Sequence, residues 1–228
     1  SMSHLAGAYR ASGQLDLAQP LFEETLRLTN AKLGPDHPDT LRGMHNLADA
    51  YQAGEQLDLA LPLYEETLKL RKAKLGPGHP DTLMSMGNLA MAYQAAGQLE
   101  QALPLFEETL KLRKANLGPD HPDTLMSMGN LAGAYYAAGK LELALPLYVE
   151  TLALRKARFG PDQAETLTIM NNLAMVFKAA GQLDLALPLL EETLTLSKDK
   201  LGADHHDTLL SMSHLAGAYR ASGQLDLA

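Results

Sequence analysis

A nine-residue phrase recurs through the chain and constrains everything around it. Leu-Gly-Pro-Asp-His-Pro-Asp-Thr-Leu occupies 33–41 and returns at 75–83 (with Gly78 for Asp) and 117–125, then in altered form at 159–167 and 201–209. Each return falls 42 residues after the last, with no insertion or deletion. A fixed period of this length marks a repeat array, in which one supersecondary unit is copied and each copy shelters its neighbour. The frame gives repeats at 1–42, 43–84, 85–126, 127–168 and 169–210 and a partial copy at 211–228, read as one repeat domain over 1–228.

The unit is helical. Met44, Leu47, Ala48 and Tyr51 follow at i, i+3, i+4 and i+7, one apolar stripe of a first helix. Pro38 suits the first turn of that helix, with Asp36 or His37 near its N-cap. Glycine at 13, 97, 139, 181 and 223 suits a left-handed residue at the helix end, whereas copy two has Gly54-Glu55, for which a slightly altered turn is expected. A second helix runs from about Gln56 to Leu75. Its stripes, Leu57, Ala60, Leu61, Tyr64, Leu68 and then Leu59, Leu63, Leu70, imply a helix gripped from two sides. Glu65–Lys69, Glu107–Lys111 and Glu23–Arg27 have the spacing of i,i+4 ion pairs. Pro62 and its copies predict a mild bend without a break.

Composition narrows the function classes. The chain is 46% hydrophobic without Trp, and its Leu, Ala and Met favour close helix packing. A formal charge of −8 argues against a nucleic-acid partner. No cysteine is present for disulfides or thiolate zinc sites. No membrane-length apolar run or signal peptide is visible, so a soluble, cytoplasmic protein is expected. The connector histidines His37, His79, His121 and His205 recur at repeat spacing, too far apart to converge on one metal, so capping is expected and no metal. No nucleophile-and-base set or glycine-rich phosphate loop appears, which points away from an enzyme and from cofactors. The methionines Met44, Met86, Met128, Met170 and Met212 read as core.

Asn46-Leu47-Ala48, Ala50-Tyr51, Leu57-x-x-Ala60 and Pro62-Leu63-Tyr64 resemble the tetratricopeptide repeat, and the 42-residue period with Leu-Gly-x-x-His-Pro resembles its kinesin-light-chain type. The resemblance implies an all-α, right-handed superhelical solenoid of antiparallel helix pairs, with the first helices lining a concave groove. It further implies that Asn46, Asn88, Asn130 and Asn172 hold an extended or short helical peptide from a protein partner. An amide both donates and accepts, so it can satisfy a peptide backbone without reading sequence. Bridging between adjacent repeats is the competing role of these asparagines. Residues at +3 and +6 would select side chains: Asp49 and Gln52, Met91 and Gln94, Gly133 and Tyr136, Met175 and Lys178. His4 and His214 replace the asparagine in the terminal copies.

Residues 211–228 repeat 1–18 without a mismatch, at an offset of 210. That identity supports a rival expectation, a structural array that self-associates head to tail through its terminal repeats and has no foreign ligand.

Overall fold

The computed structural model describes residues 2–224. Among the described residues the chain is all α, with eleven helices in sequential antiparallel pairs: α1 (Met2–Ala11), α2 (Leu15–Leu33), α3 (Pro38–Ala53), α4 (Leu57–Leu75), α5 (Pro80–Ala95), α6 (Leu99–Leu117), α7 (Pro122–Ala137), α8 (Leu141–Phe159), α9 (Ala164–Ala179), α10 (Leu183–Leu201) and α11 (His206–Ser222). The second helix expected after Gly223 lies outside the described residues.

The helix starts have a common chemical cause. His37, His79, His121 and His205 sit at N-caps in extended backbone, and each Nδ1 accepts from the backbone N–H two residues on, at 3.1–3.2 Å. The recurring histidine is therefore a cap, supplying an acceptor to an orphan N–H. Gln163 replaces it in copy four and makes no side-chain cap.

Glu55 overturns the expectation of an altered turn. Its φ is 58°, against 73° for Gly97 at the equivalent place. Its N–H reaches the Gln52 carbonyl at 3.0 Å and Gln56 N–H reaches Tyr51 at 2.9 Å, matching the 3.0 and 2.8 Å bonds around Gly97. The stacked helices dictate the turn, and Glu55 adopts a left-handed backbone that a side chain disfavours.

The paired helices meet on small residues. Ala48 and Ala60 have no exposed surface, nor do Ala132 and Ala144, or Ala174 and Ala186. Such alanines let two helices approach closely. Met86, Met128 and Met170 are completely buried. The second helices run unbroken through Pro20, Pro62, Pro104, Pro146 and Pro188. The buried hydroxyl of Thr67 donates to the Leu63 carbonyl at 2.6 Å.

Two details of the second helices differ from expectation. Leu63 packs against the clusters on both sides, but Leu59 of the same predicted stripe is 46% exposed. The helix turns Leu59 to the outer surface, as it does Leu17, Leu143 and Leu185. The Glu65–Lys69 and Glu23–Arg27 pairs do not form. Glu65 and Glu23 instead accept from Tyr93 and Tyr51, each at 2.6 Å, while Lys69 turns to Glu66 and Arg27 to Glu24. A tyrosine held by the neighbouring helix offers a fixed donor, whereas a lysine must lose side-chain freedom to pair.

The chain divides into two compact units, Ser1–Asn116 and Leu117–Ala228. In the first, α1 packs on α2, α2 on α3, α3 on α4 and α4 on α5, and α1 also touches α3. In the second, α7 through α11 pack in the same succession, and the first helices α7, α9 and α11 touch in turn. Direct contact between successive first helices leaves clefts between them, and the four asparagines lie there.

Candidate functional site

In the first unit, Asn46 lines a cleft with Ser3, His4, Gly7 and Arg42. It is half-buried in α3, and its side chain makes no hydrogen bond to the described residues. Asn88 lines a second cleft with Arg10, Asp49, Gln52, Tyr64 and Met91. Its Nδ2 lies 3.2 Å from Nε2 of His45, on the preceding repeat. Asn88 thus bridges two repeats while its flank remains on the cleft.

Beneath that cleft runs a polar network. The Tyr64 hydroxyl lies 2.6 Å from Asp49 Oδ1 and 2.9 Å from Gln52 Oε1. A phenol has one proton, and the charged, nearer oxygen of Asp49 takes it. Arg10 approaches the same carboxylate at 3.5 Å and His45 Nε2 at 3.8 Å. Burial first, and the Asp49 carboxylate next, push the Tyr64 phenol far above its ordinary value. His45 is 6% exposed, its ring edge-on to Tyr64 at 5.9 Å. Burial holds its imidazole below 6.5, with Arg71 and Arg10 acting the same way against Asp49. Asp49 thus has internal partners as well as a place on the cleft wall, and Met91 on the same wall is 38% exposed. Gln94 is half-buried on α5.

In the second unit, Asn130 and Asn172 line one cleft of about 310 Å³ with Asp123, Met126, Gly129, Arg155, Glu165 and Ile169. Gly129 makes this possible, because a Cβ there would stand 2.9 Å from Ile169 Cδ1. Asn172 also hydrogen-bonds the hydroxyl of Tyr148, whose phenol burial pushes up to about 12. Gly133 faces that hydroxyl, which would lie 3.2 Å from an added Cβ. Tyr136 is 36% exposed on α7. Lys178 extends toward Gly217, where a Cβ would lie 3.0 Å from its Nζ, and it depresses the His214 imidazole after burial has done so.

The asparagines lie at clefts between first helices, and Asp49 and Gln52 line the same cleft as Asn88 while also meeting the Tyr64 hydroxyl beneath it. Arg10, His45 and Arg155 were not singled out from sequence, and Tyr64 was read only as part of an apolar stripe and a repeat motif. The legible signal was variation: the position of His45 carries Gly87, Gly129 and Asn171 in other copies. Asn171 donates to Ser211 Oγ at 2.8 Å across to the next repeat, so this position also bridges neighbours.

The helix pairs, their 42-residue spacing and this face can be set beside known proteins. A profile of the tetratricopeptide repeat matches residues 1–73, 52–115, 81–157 and 163–228. The chain belongs to the tetratricopeptide repeat family. The TPR array is similar to two crystal structures of nearly identical TPR-like repeats from Podosopora anserina, assigned as a kinesin light chain. Identities are 30% and 32%, TM-scores 0.79 and 0.77, over 88% and 87% of this chain and 94% of each of those. BtubC from P. vanneervenii shares the fold at 23% identity and TM-score 0.74, over 95% of this chain and 86% of that one. No curated protein is significantly similar. TPR arrays are in general non-catalytic protein-interaction scaffolds. No helix among the described residues of this TPR array is long and apolar enough to cross a membrane.

Proposed function

We propose that this TPR array holds a peptide segment of a protein partner against the first helices of each unit, with Asn46, Asn88, Asn130 and Asn172 meeting the peptide main chain. One observation carries the reading: all four amides line clefts between successive first helices. An amide at a cleft wall can donate and accept toward a backbone that has lost its water. In the first unit Met91 offers an adaptable apolar contact, and in the second Tyr136 and Lys178 supply an aromatic and a cationic one.

Asn46 and Asn130 provide the test. Peptides enriched from a random library on the wild-type array are offered to an Asn46→Ala, Asn130→Ala variant, and both proteins are unfolded in urea. Loss of at least about tenfold in affinity with a retained unfolding midpoint supports the groove. Equal binding by the variant, or no enrichment on the wild type, sinks it.

A further inference from the structure

The same ten residues stand in two settings, for Met2–Ala11 of α1 and Met212–Ala221 of α11 are identical. Each setting covers a different face. In α11, Leu215 is 9% exposed and Ala218 is sealed, both packed with Leu190 of α10, and the Tyr219 hydroxyl donates to Glu191 Oε1 at 2.6 Å. The same residues of α1 are uncovered. Leu5 is 48% exposed, Ala8 is exposed, and the Tyr9 hydroxyl makes no hydrogen bond to the described residues. Conversely, Ala6 is sealed with Ala18 and Phe22 of α2, whereas its counterpart Ala216 is only half-buried. The uncovered face of α1 lies apart from Ser3, His4 and Gly7, which line the cleft with Asn46. α10 is thus a surface that fits this face residue for residue.

The charges around the two helices fit the same arrangement. Ion pairs tie successive repeats at two fixed spacings. Lys72–Glu108 and Lys156–Glu192 join second helices across 36 residues, at 3.4 and 2.8 Å. Lys74–Asp36, Arg158–Asp120 and Lys200–Asp162 join a second helix to the preceding connector across 38 residues, at 2.7–2.9 Å. Lys32, Lys198 and Asp204 make no ion pair among the described residues. At the offset of 210, Glu24 of a second copy stands 36 places beyond Lys198, and Lys32 of that copy stands 38 places beyond Asp204. Within its own chain Glu24 turns to Arg27, just as Glu66 turns to Lys69 where the preceding repeat has Asn30 in place of a lysine.

We propose that α1 of a second copy takes the place on α10 that α11 holds from Ser211 onward, so that one chain hands over to the next in repeat register. This is a helix exchange with two different surfaces in contact, α1 and α2 of one copy against α10 of the other. For α10 the exchange is nearly neutral, because the same side chains arrive as leave. The incoming helix is favoured because it comes with α2 already packed on Ala6, whereas α11 holds its helical form with Ala216 half-covered. The two added ion pairs, Lys198 with Glu24 and Asp204 with Lys32, are exposed, so they fix the register more than the strength. Joining two chains costs translational and rotational freedom, so the exchange grows with concentration. It is independent of the peptide-binding reading.

The test is sedimentation of the whole chain in the analytical ultracentrifuge over a concentration series. The average mass of the wild type should rise with concentration above that of one chain. Leu5→Glu changes a side chain that is already half exposed, so it should keep the urea midpoint and weaken association at least about tenfold. Leu215→Glu is the same change at the same place in the repeat, yet it should act in the opposite direction. It loosens α11 from α10, and association should strengthen at least about tenfold. Asp204→Lys should weaken association about threefold, and Lys32→Asp added to the same chain should restore it. A mass of one chain at every concentration overturns the proposal. So does association that Leu5→Glu leaves intact, that Leu215→Glu weakens, or that Lys32→Asp does not restore.

Discussion

The hydroxyl of Tyr51 donates to Oε1 of Glu23 at 2.6 Å, tying the first helix of repeat two to the second helix of repeat one. Tyr93–Glu65 and Tyr219–Glu191 repeat this tie at the same distance. Burial, reinforced by the Glu23 hydrogen bond, pushes the Tyr51 phenol up to about 12. At the corresponding places of copies four and five the chain has Val149 and Phe177, so both partners are replaced together. That is the economical exchange, because removing one partner alone strands the other.

Tyr51→Phe should therefore lower stability by about 0.5–1 kcal/mol, read from the urea midpoint, the pair being partly solvent-screened. Introducing Val149→Glu and Phe177→Tyr together should gain a similar amount, with neither substitution stabilising alone. A double-mutant cycle without coupling would show that the tie contributes only packing.

Glu55→Gly should stabilise the array by about 1 kcal/mol, because the left-handed backbone at φ 58° is free of penalty only for glycine. The reverse change, Gly97→Glu, should destabilise by a similar amount. Urea unfolding of the two variants measures both signs.

Ser85 is fully buried and accepts from Arg71, itself 4% exposed. Ser85→Ala leaves one guanidinium donor short of a partner and should cost about 2 kcal/mol in thermal or urea unfolding. The Asp81 carbonyl remains as a second acceptor, so the array should still fold.

His45 should make the first unit acid-sensitive. Burial lowers its folded pKa below the ordinary 6.5, so the unfolded chain takes up the proton first. Stability is fully present above about pH 6.5 and declines as the pH falls toward the folded value. The His214 imidazole, also depressed by burial, acts with the same sign. A His45→Asn variant, which copies the Asn171 found at the equivalent position, should lose less stability than wild type between pH 8 and pH 5.5. Equal pH slopes for the two proteins would clear His45 of this role.

Much of the fold was legible because helix periodicity is local. The apolar spacing from Met44 to Tyr51, the histidine caps and the glycines at 13, 97, 139, 181 and 223 act within a turn or two of backbone. The misjudged residues depend on a neighbour. Leu59 belongs to an apolar series in sequence, yet the packing of α4 leaves no helix to cover it. Glu65 has Lys69 one turn away, yet Tyr93 on the next repeat holds it. The count that puts Asp49 at the cleft is silent on the Tyr64 and Arg10 side chains that meet its carboxylate there.

By itself the sequence determined the repeat, its 42-residue step, the helix pair within it and the position of the four asparagines. Hydrogen bonding along one helix and its caps is decided by residues a few places apart. Only the tertiary structure decided which amides bridge repeats, which carboxylates already have partners and that Arg155 meets Glu165 where Arg71 meets Ser85. Those outcomes depend on side chains brought together from helices up to 43 residues apart, at distances of about 3 Å that no periodicity encodes.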